Sequence, residues 1–357
     1  MIVGAKKIVP AAIAVAAMII LALATRASSS SYTPEPSGPI SLGVVDYLGA
    51  FRTPADVKGK PSGFRNFVNK TLGLEDDYRR MVLPHGVAVD SKGRVLVADT
   101  KGQVVHIFDA AGRKYKQLHA PASDPFLSPI AIALDSQGRI YVTDSGRARI
   151  FVFKPDGKFL KTLGALGKNE SIFKRCTGLA IDRRSDTLYV VDTVAMRVVA
   201  LSADGQVLNR IGKAGDGPAE FNYPTHIALA GDGSLWVVDS LNFRVQHLDA
   251  SGKFLSAFGG PGDFAGAFDK PKGIAIDPEG RILVVEGRND RVQAYDADGQ
   301  ILFTFGNTGN APGEFFLPTG IALDSDGKLY VADGQNGRVE IFRVKADAAG
   351  GGRPGAR

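Results

Sequence analysis

Cysteine is almost absent from this chain of 357 residues, with Cys176 the only one. A lone cysteine cannot close an internal disulfide, and no C-x-x-C-H run is present for haem attachment. The glycine-rich stretches are not followed by the lysine and helix of a P-loop. No Gly-x-Ser-x-Gly elbow and no nucleophile with a paired base can be found. A dominant charge of one sign is missing as well. The net charge of +6 draws on Lys6, Lys7, Arg26, Arg353 and Arg357 near the two ends, and residues 41–345 carry 38 basic against 35 acidic side chains. So balanced a surface gives no pervasive phosphate-attracting field, which disfavours a nucleic-acid partner.

What is present begins with one apolar run. Residues 8–24 are apolar apart from the break at Pro10, they follow Lys6 and Lys7, and Arg26 ends them. This reads as a secretory signal within residues 1–27, with an uncleaved membrane anchor as the alternative. Either places the rest of the chain in the periplasm or outside the cell, with membrane contact only through this segment. No cysteine follows the run, so a lipid-anchored form is not expected. Residues 28–40 are rich in Ser and Pro and suit a flexible linker. Residues 346–357 suit a disordered tail.

The remainder is built from copies of one unit. In residues 313–342, two short β-rich runs flank Asp324-Ser325-Asp326-Gly327, which has hairpin-turn chemistry, and a third alternating run follows Gly337. Aligning on the acidic residue that ends the second run gives Asp99, Asp144, Asp192, Asp239, Glu286 and Asp333, spaced by 45, 48, 47, 47 and 47 residues. Six units of this period, each with three or four strands, are the signature of a β-propeller. With 44% hydrophobic residues the chain can bury one continuous core.

The recurring motifs, such as Pro-Thr-Gly-Ile-Ala, Leu-Tyr-Val-Ala-Asp and Asn-Gly-Arg-Val, resemble those of the NHL-repeat family over residues 83–344. That resemblance implies an all-β, six-bladed propeller, here of an extracytoplasmic bacterial type. Fourth strands are expected at 159–163, 207–211, 254–258 and 301–305. The last unit has none, so residues 41–50 are expected to close the ring by pairing with 338–344. Residues 52–82 fit no repeat, and their approximately helical spacing predicts a short helical insertion before blade 1 within the 41–345 propeller. Phe221, Phe268 and Phe315, in Gly-rich loops, are expected to plug gaps between blades.

Propeller chemistry usually sits at the channel mouth, where the innermost strands begin. The residues there are His85, Ile130, Thr177, Thr225, Lys272 and Thr319, with His226 one position late. The peptidyl-hydroxyglycine zinc lyases resemble this chain in fold, and in that family histidines following proline in three blades hold the metal. Only Pro84-His85 matches. Zinc catalysis needs three protein ligands, and His85 and His226 lie on opposite blades, so no metal or catalytic set is expected. Calcium-dependent lactonase-like propellers need converging acidic and amide groups, whereas these innermost strands are apolar until their far ends. The repeated aspartates, with Arg149, Arg197, Arg244, Arg291 and Arg338 five residues later, are expected to be structural pairs. Glu286 is expected to reach outward beside Arg288.

What remains is a cationic mouth. The candidate ligand-binding residues are His85, His226, Lys272, Glu286, Arg288, Arg147 and Arg175, with Lys174 and Lys270 nearby. The expected function is an exported binding or scaffolding module for a protein, peptide or glycan, with no cofactor and no nucleic acid. The alternative is a metal-dependent lyase or hydrolase, like the peptidyl-hydroxyglycine lyases or the lactonases, with its site at the same mouth.

Overall fold

A computed structural model of the chain describes residues 40–59, 80–165, 171–262 and 264–345. The expected signal or anchor, the linker, the tail and most of the insertion lie outside the described residues.

Six antiparallel sheets follow one another along the chain. The alternation of β-branched residues with short turns, several of which open on Asp and close on a left-handed glycine as in Asp90–Gly93 and Asp324–Gly327, makes each a meander. Blade 1 runs from Pro84–Val89 through Val95–Asp99 and Val104–Asp109 to Lys114–Leu118. It thus has a fourth strand, completed at a position where the sequence pattern gave no expectation. Blades 2 to 5 repeat the order, with innermost strands Pro129–Leu134, Cys176–Asp182, Pro224–Leu229 and Pro271–Ile276. Their fourth strands fall at Phe159–Leu163, Val207–Ile211, Phe254–Gly259 and Ile301–Phe305, as the sequence pattern predicts.

Blade 6 takes its outer strand from the start of the chain. Val45–Phe51 pairs antiparallel with Arg338–Val344, and Ile40–Leu42 adds a fifth strand beyond it. Val45 and Tyr47 are fully buried there, so the closing strand contributes core as well as hydrogen bonds. Of the insertion, the described part holds one helical turn, Ala55–Lys58, with Val57 buried against blades 1 and 6.

Six apolar clusters fill the six gaps between blades. Each gap is plugged by the side chain three residues before the start of an innermost strand: Met81, Phe126, Phe173, Phe221, Phe268 and Phe315, all buried. Three of these plugs were legible in the loops, and the structure adds the other three. The innermost strands pack side by side around the ring, each next to the following one, and the sixth returns to the first. Their packing is closest two residues into the strand. A Cβ on Gly86, Gly178, Gly273 or Gly320 would collide with the backbone of the next blade, at Ile130, Thr225, Thr319 and His85 respectively.

Candidate functional site

The loops that enter the innermost strands are held by a ring of buried carboxylates. Asp99 accepts the amides of Val82 and Leu83, Asp144 those of Leu127 and Ser128, and Asp192 those of Lys174 and Arg175. Asp239 and Asp333 accept from Asn222 and Phe316. Glu286 does the same for blade 5, receiving the amides of Asp269 at 2.7 Å and Lys270 at 2.6 Å. The expected outward reach of Glu286 is therefore not what the geometry shows. Its carboxylate is fully buried, and the Arg288 side chain turns to Asp269 at 3.2 Å instead. Burial raises the Glu286 carboxyl, and the loop amides oppose that rise.

The arginine partners vary by blade. Arg244 and Arg338 meet Asp239 and Asp333 at 2.9 and 2.8 Å, and Arg197 stands 3.6 Å from Asp192. Arg149 pairs with Asp124 rather than with the aspartate of its own repeat. Blade 1 carries Val104 where the other blades have this arginine, and there His106 Nε2 contacts Asp99 at 3.2 Å. The hairpin aspartates Asp90, Asp135, Asp277 and Asp324 each accept backbone amides two and four residues ahead, which is turn capping.

This scaffold presents the mouth residues. His85 is the second residue of the innermost strand of blade 1 and His226 the third of that of blade 4. His226 occupies the position that is glycine in blades 1, 3, 5 and 6 and alanine, Ala131, in blade 2. A bulky side chain cannot turn towards the neighbouring blade there. The two imidazoles, expected to remain apart on opposite blades, stack across the channel with centroids 5.6 Å apart and planes 6° from parallel. The distance is short because the innermost strands of six blades leave a narrow axis, which long side chains cross.

Three ring nitrogens of this pair, His85 Nδ1 and both of His226, are buried without a hydrogen-bond partner among the described residues. Burial pushes the His226 imidazolium down to about 4, with the charge of Lys272 adding to the effect. His85 is lowered well below its usual value by burial first, then by His226 and Lys272. Both rings are therefore neutral near pH 7. Lys272, whose stem lies against Gly287, is also lowered by burial and by Lys270, against the opposing charges of Glu286 and Asp290, and its ammonium makes no hydrogen bond or ion pair among the described residues. Arg175 is exposed and donates to the Tyr223 hydroxyl at 2.9 Å.

Of the seven candidate residues, the structure brings His85, His226 and Lys272 into one electrostatic group, with Arg175 close enough to act on His85. Arg147 is engaged elsewhere, donating to the Pro125 carbonyl and pairing with Asp124 at 3.4 Å. Among the described residues, no three histidine, cysteine or acidic side chains are grouped so as to hold a metal ion. Sequence reasoning missed Tyr223, and it gave too little weight to His226. The signal for the latter was the glycine column itself, in which one blade departs from five small residues.

Fold and mouth together define a six-bladed β-propeller with a histidine-lined, cationic channel entrance. A family profile described as a 6-bladed beta-propeller matches residues 123–206, and the NHL repeat profile matches residues 82–108 and 317–342. The chain is thus a six-bladed propeller with NHL repeats matched at residues 82–108 and 317–342. No curated protein sequence matches it. Solved structures match in fold. Virginiamycin B lyase from Staphylococcus aureus is 16% identical, with a TM-score of 0.55 over 74% of this chain and 96% of that one. A gluconolactonase from Xanthomonas campestris is 16% identical, with a TM-score of 0.59 over 88% and 99%. An auxiliary nutrient binding protein from Bacteroides thetaiotaomicron is 12% identical, with a TM-score of 0.57 over 73% and 69%. At such identities the likeness extends to the fold alone.

Proposed function

We propose that this is an exported binding propeller that recognises an anionic group of a ligand or protein partner at its channel mouth. One observation carries the reading: the stacked His85–His226 pair offers unpartnered ring nitrogens beside the unpaired ammonium of Lys272. Buried polar atoms are ordinarily satisfied, so three orphaned nitrogens in one place mark where a ligand supplies the missing partners. The charges that act on the two imidazoles, Lys272 and Arg175, are cationic, which favours a carboxylate or similar anion, while Glu286 and Asp290 act on Lys272 from its other side. Arg288 and Arg147, already neutralised by Asp269 and Asp124, contribute little. Export rests on the apolar run at residues 8–24 behind Lys6 and Lys7.

Acetate titrated into the protein should shift the imidazole NMR signals of His85 and His226 in a saturable way. Lys272→Glu combined with Arg175→Glu should weaken that response at least tenfold. An undiminished response in the double variant would reject the mouth as the site.

The second reading, a lyase or hydrolase, is supported by one feature of the same pair. A neutral histidine with a free ring nitrogen is the form a general base needs. Stoichiometric zinc or calcium in protein purified from its native envelope would favour it over binding alone.

A further inference from the structure

The buried acid that ends the second strand of each blade is followed five residues later by an arginine in blades 2 to 6 and by Val104 in blade 1. Blade 4 shows what the arginine does. Arg244 Nε donates to Asp239 Oδ2 at 2.9 Å, beside Asn242 at 2.8 Å and Gln246 at 3.1 Å, and its Nη2 donates to the carbonyls of Gly217 and Glu220. Blade 6 repeats the pattern, with Arg338 on Asp333 and on the carbonyls of Asn310, Ala311 and Glu314. Glu220 and Glu314 each stand one residue before the phenylalanine plug. A guanidinium is planar and fork-shaped, so it can join a carboxylate to several loop carbonyls at once.

In blade 1 the acceptors remain and the arginine does not. Asp99 Oδ2 takes two donors, the Val82 amide at 2.6 Å and His106 Nε2 at 3.2 Å, where Asp239 Oδ2 takes three. Arg80 supplies the carbonyl that matches those of Glu220 and Glu314, one residue before the Met81 plug, and among the described residues nothing donates to it. Val104 pairs with Asp99 in the register that Arg244 holds with Asp239. Beside it lies a cavity of about 260 Å³ lined by Arg80, Asp99, Val104, His106, Gln117 and His119. Asp99 is its buried end and Arg80 its exposed one. Burial opposes ionisation of Asp99, but the bond from His106 and the amides of Val82, Leu83 and Gly102 outweigh it and hold the carboxyl below its usual value. Among the described residues only His106 stands within ion-pair distance of it.

We propose that this cavity binds a guanidino acid of the L-arginine type, its guanidinium against Asp99 and the Arg80 carbonyl, its carboxylate towards the exposed Arg80 side chain. The guest takes the place that blades 4 and 6 fill from their own chain. The fork selects a guanidinium over an ammonium, because a point charge does not reach acid and carbonyl in one plane. Arg80 opposes a ligand that is only a cation and favours one with an anionic end. None of these residues lines the channel mouth, and the inference stands apart from the reading of the mouth as an anion site.

The test is calorimetric titration of the full chain with L-arginine, L-citrulline, L-lysine and methylguanidinium. L-arginine should bind, with citrulline and lysine at least tenfold weaker and methylguanidinium at least threefold weaker. Arg80→Gln should erase the difference between arginine and methylguanidinium. Val104→Arg, which supplies the missing side chain from within, should weaken arginine at least tenfold while the response of His85 and His226 to acetate stays unchanged; should that variant fail to fold, the ligand series on the unaltered protein decides alone. Equal binding of citrulline and arginine would overturn the guanidinium assignment. Arginine binding that persists in Val104→Arg and is lost in Lys272→Glu would put the ligand at the mouth and remove this site. If neither arginine nor methylguanidinium binds at millimolar concentration, the inference fails and the mouth reading is untouched.

Discussion

A histidine in a column otherwise filled by four glycines and Ala131 sets His226 apart. It packs against the His85 ring as well as backbone and aliphatic side chains, and burial, with the charge of Lys272, keeps it neutral. The folded ring titrates near 4 and the unfolded one near 6.5, so the unfolded chain takes up the proton more readily between those values. Stability contributed by the neutral ring is complete above pH 6.5 and is lost as pH falls towards 4, by about 3 kcal/mol in all. Urea denaturation at pH 7 and pH 4.5 should show the loss, and His226→Gln should lose measurably less. Cys176 makes a complementary case. It stands where five blades carry proline, it is fully buried, and burial raises its thiol far above the usual range. A thiol-specific reagent should leave it unmodified in the folded protein and label it once the chain is unfolded in denaturant. Both residues were visible as departures from the repeat. Their surroundings were not, because a repeat pattern places residues within a blade and says nothing of what faces them across the axis.

The strands were the most legible level, since hairpin turns, alternation and the 47-residue period all pointed to the same meander. The pairing of Val45–Phe51 with Arg338–Val344 followed from a missing fourth strand and an orphan strand pattern nearly three hundred residues away. Tyr47, fully buried against Phe342 with ring centroids 5.7 Å apart, is the anchor of that seam. Tyr47→Ala should cost about 3 to 5 kcal/mol and lower the melting temperature by several degrees. Deleting residues 43–50 should cost more, and calorimetry showing an unchanged transition would remove the closing role. Next to the seam lies a cluster of which the sequence disclosed only the Asp333–Arg338 pair. Arg338 contacts Asp333 at 2.8 Å and Glu340 at 2.9 Å, and all three are buried. Burial raises the Glu340 carboxyl to about 8, against the opposing charge of Arg338. Here the sign is opposite to that of His226. The contribution is whole below about pH 4.5 and is lost as pH rises through 8, so Glu340→Gln should stabilise the protein at pH 9 and flatten its alkaline limb. A glutamate on an alternating strand reads as a surface residue until the neighbouring blade covers it.

At the level of the whole molecule, the ring explains why the fold was readable and the site was not. Six copies of one unit announce themselves by periodicity, and each copy's core lies between neighbours, where plugs such as Phe221 and Phe315 recur at fixed offsets. The mouth draws His85, Lys272 and His226 from blades 1, 5 and 4, and their meeting depends on the radius of the ring. Ring closure has one more consequence. Lys345 bonds through its amide to the Val44 carbonyl at 3.1 Å and through Nζ to the Ser41 hydroxyl at 2.7 Å, so the two edges of the described propeller lie a strand or two apart. The fold therefore has a circular order with no privileged starting point. A permuted gene could join residue 345 to residue 40 through a short linker and open new ends at the exposed Gly231–Asp232 turn. It would keep every inter-blade gap filled, carrying the same channel on a chain that starts elsewhere.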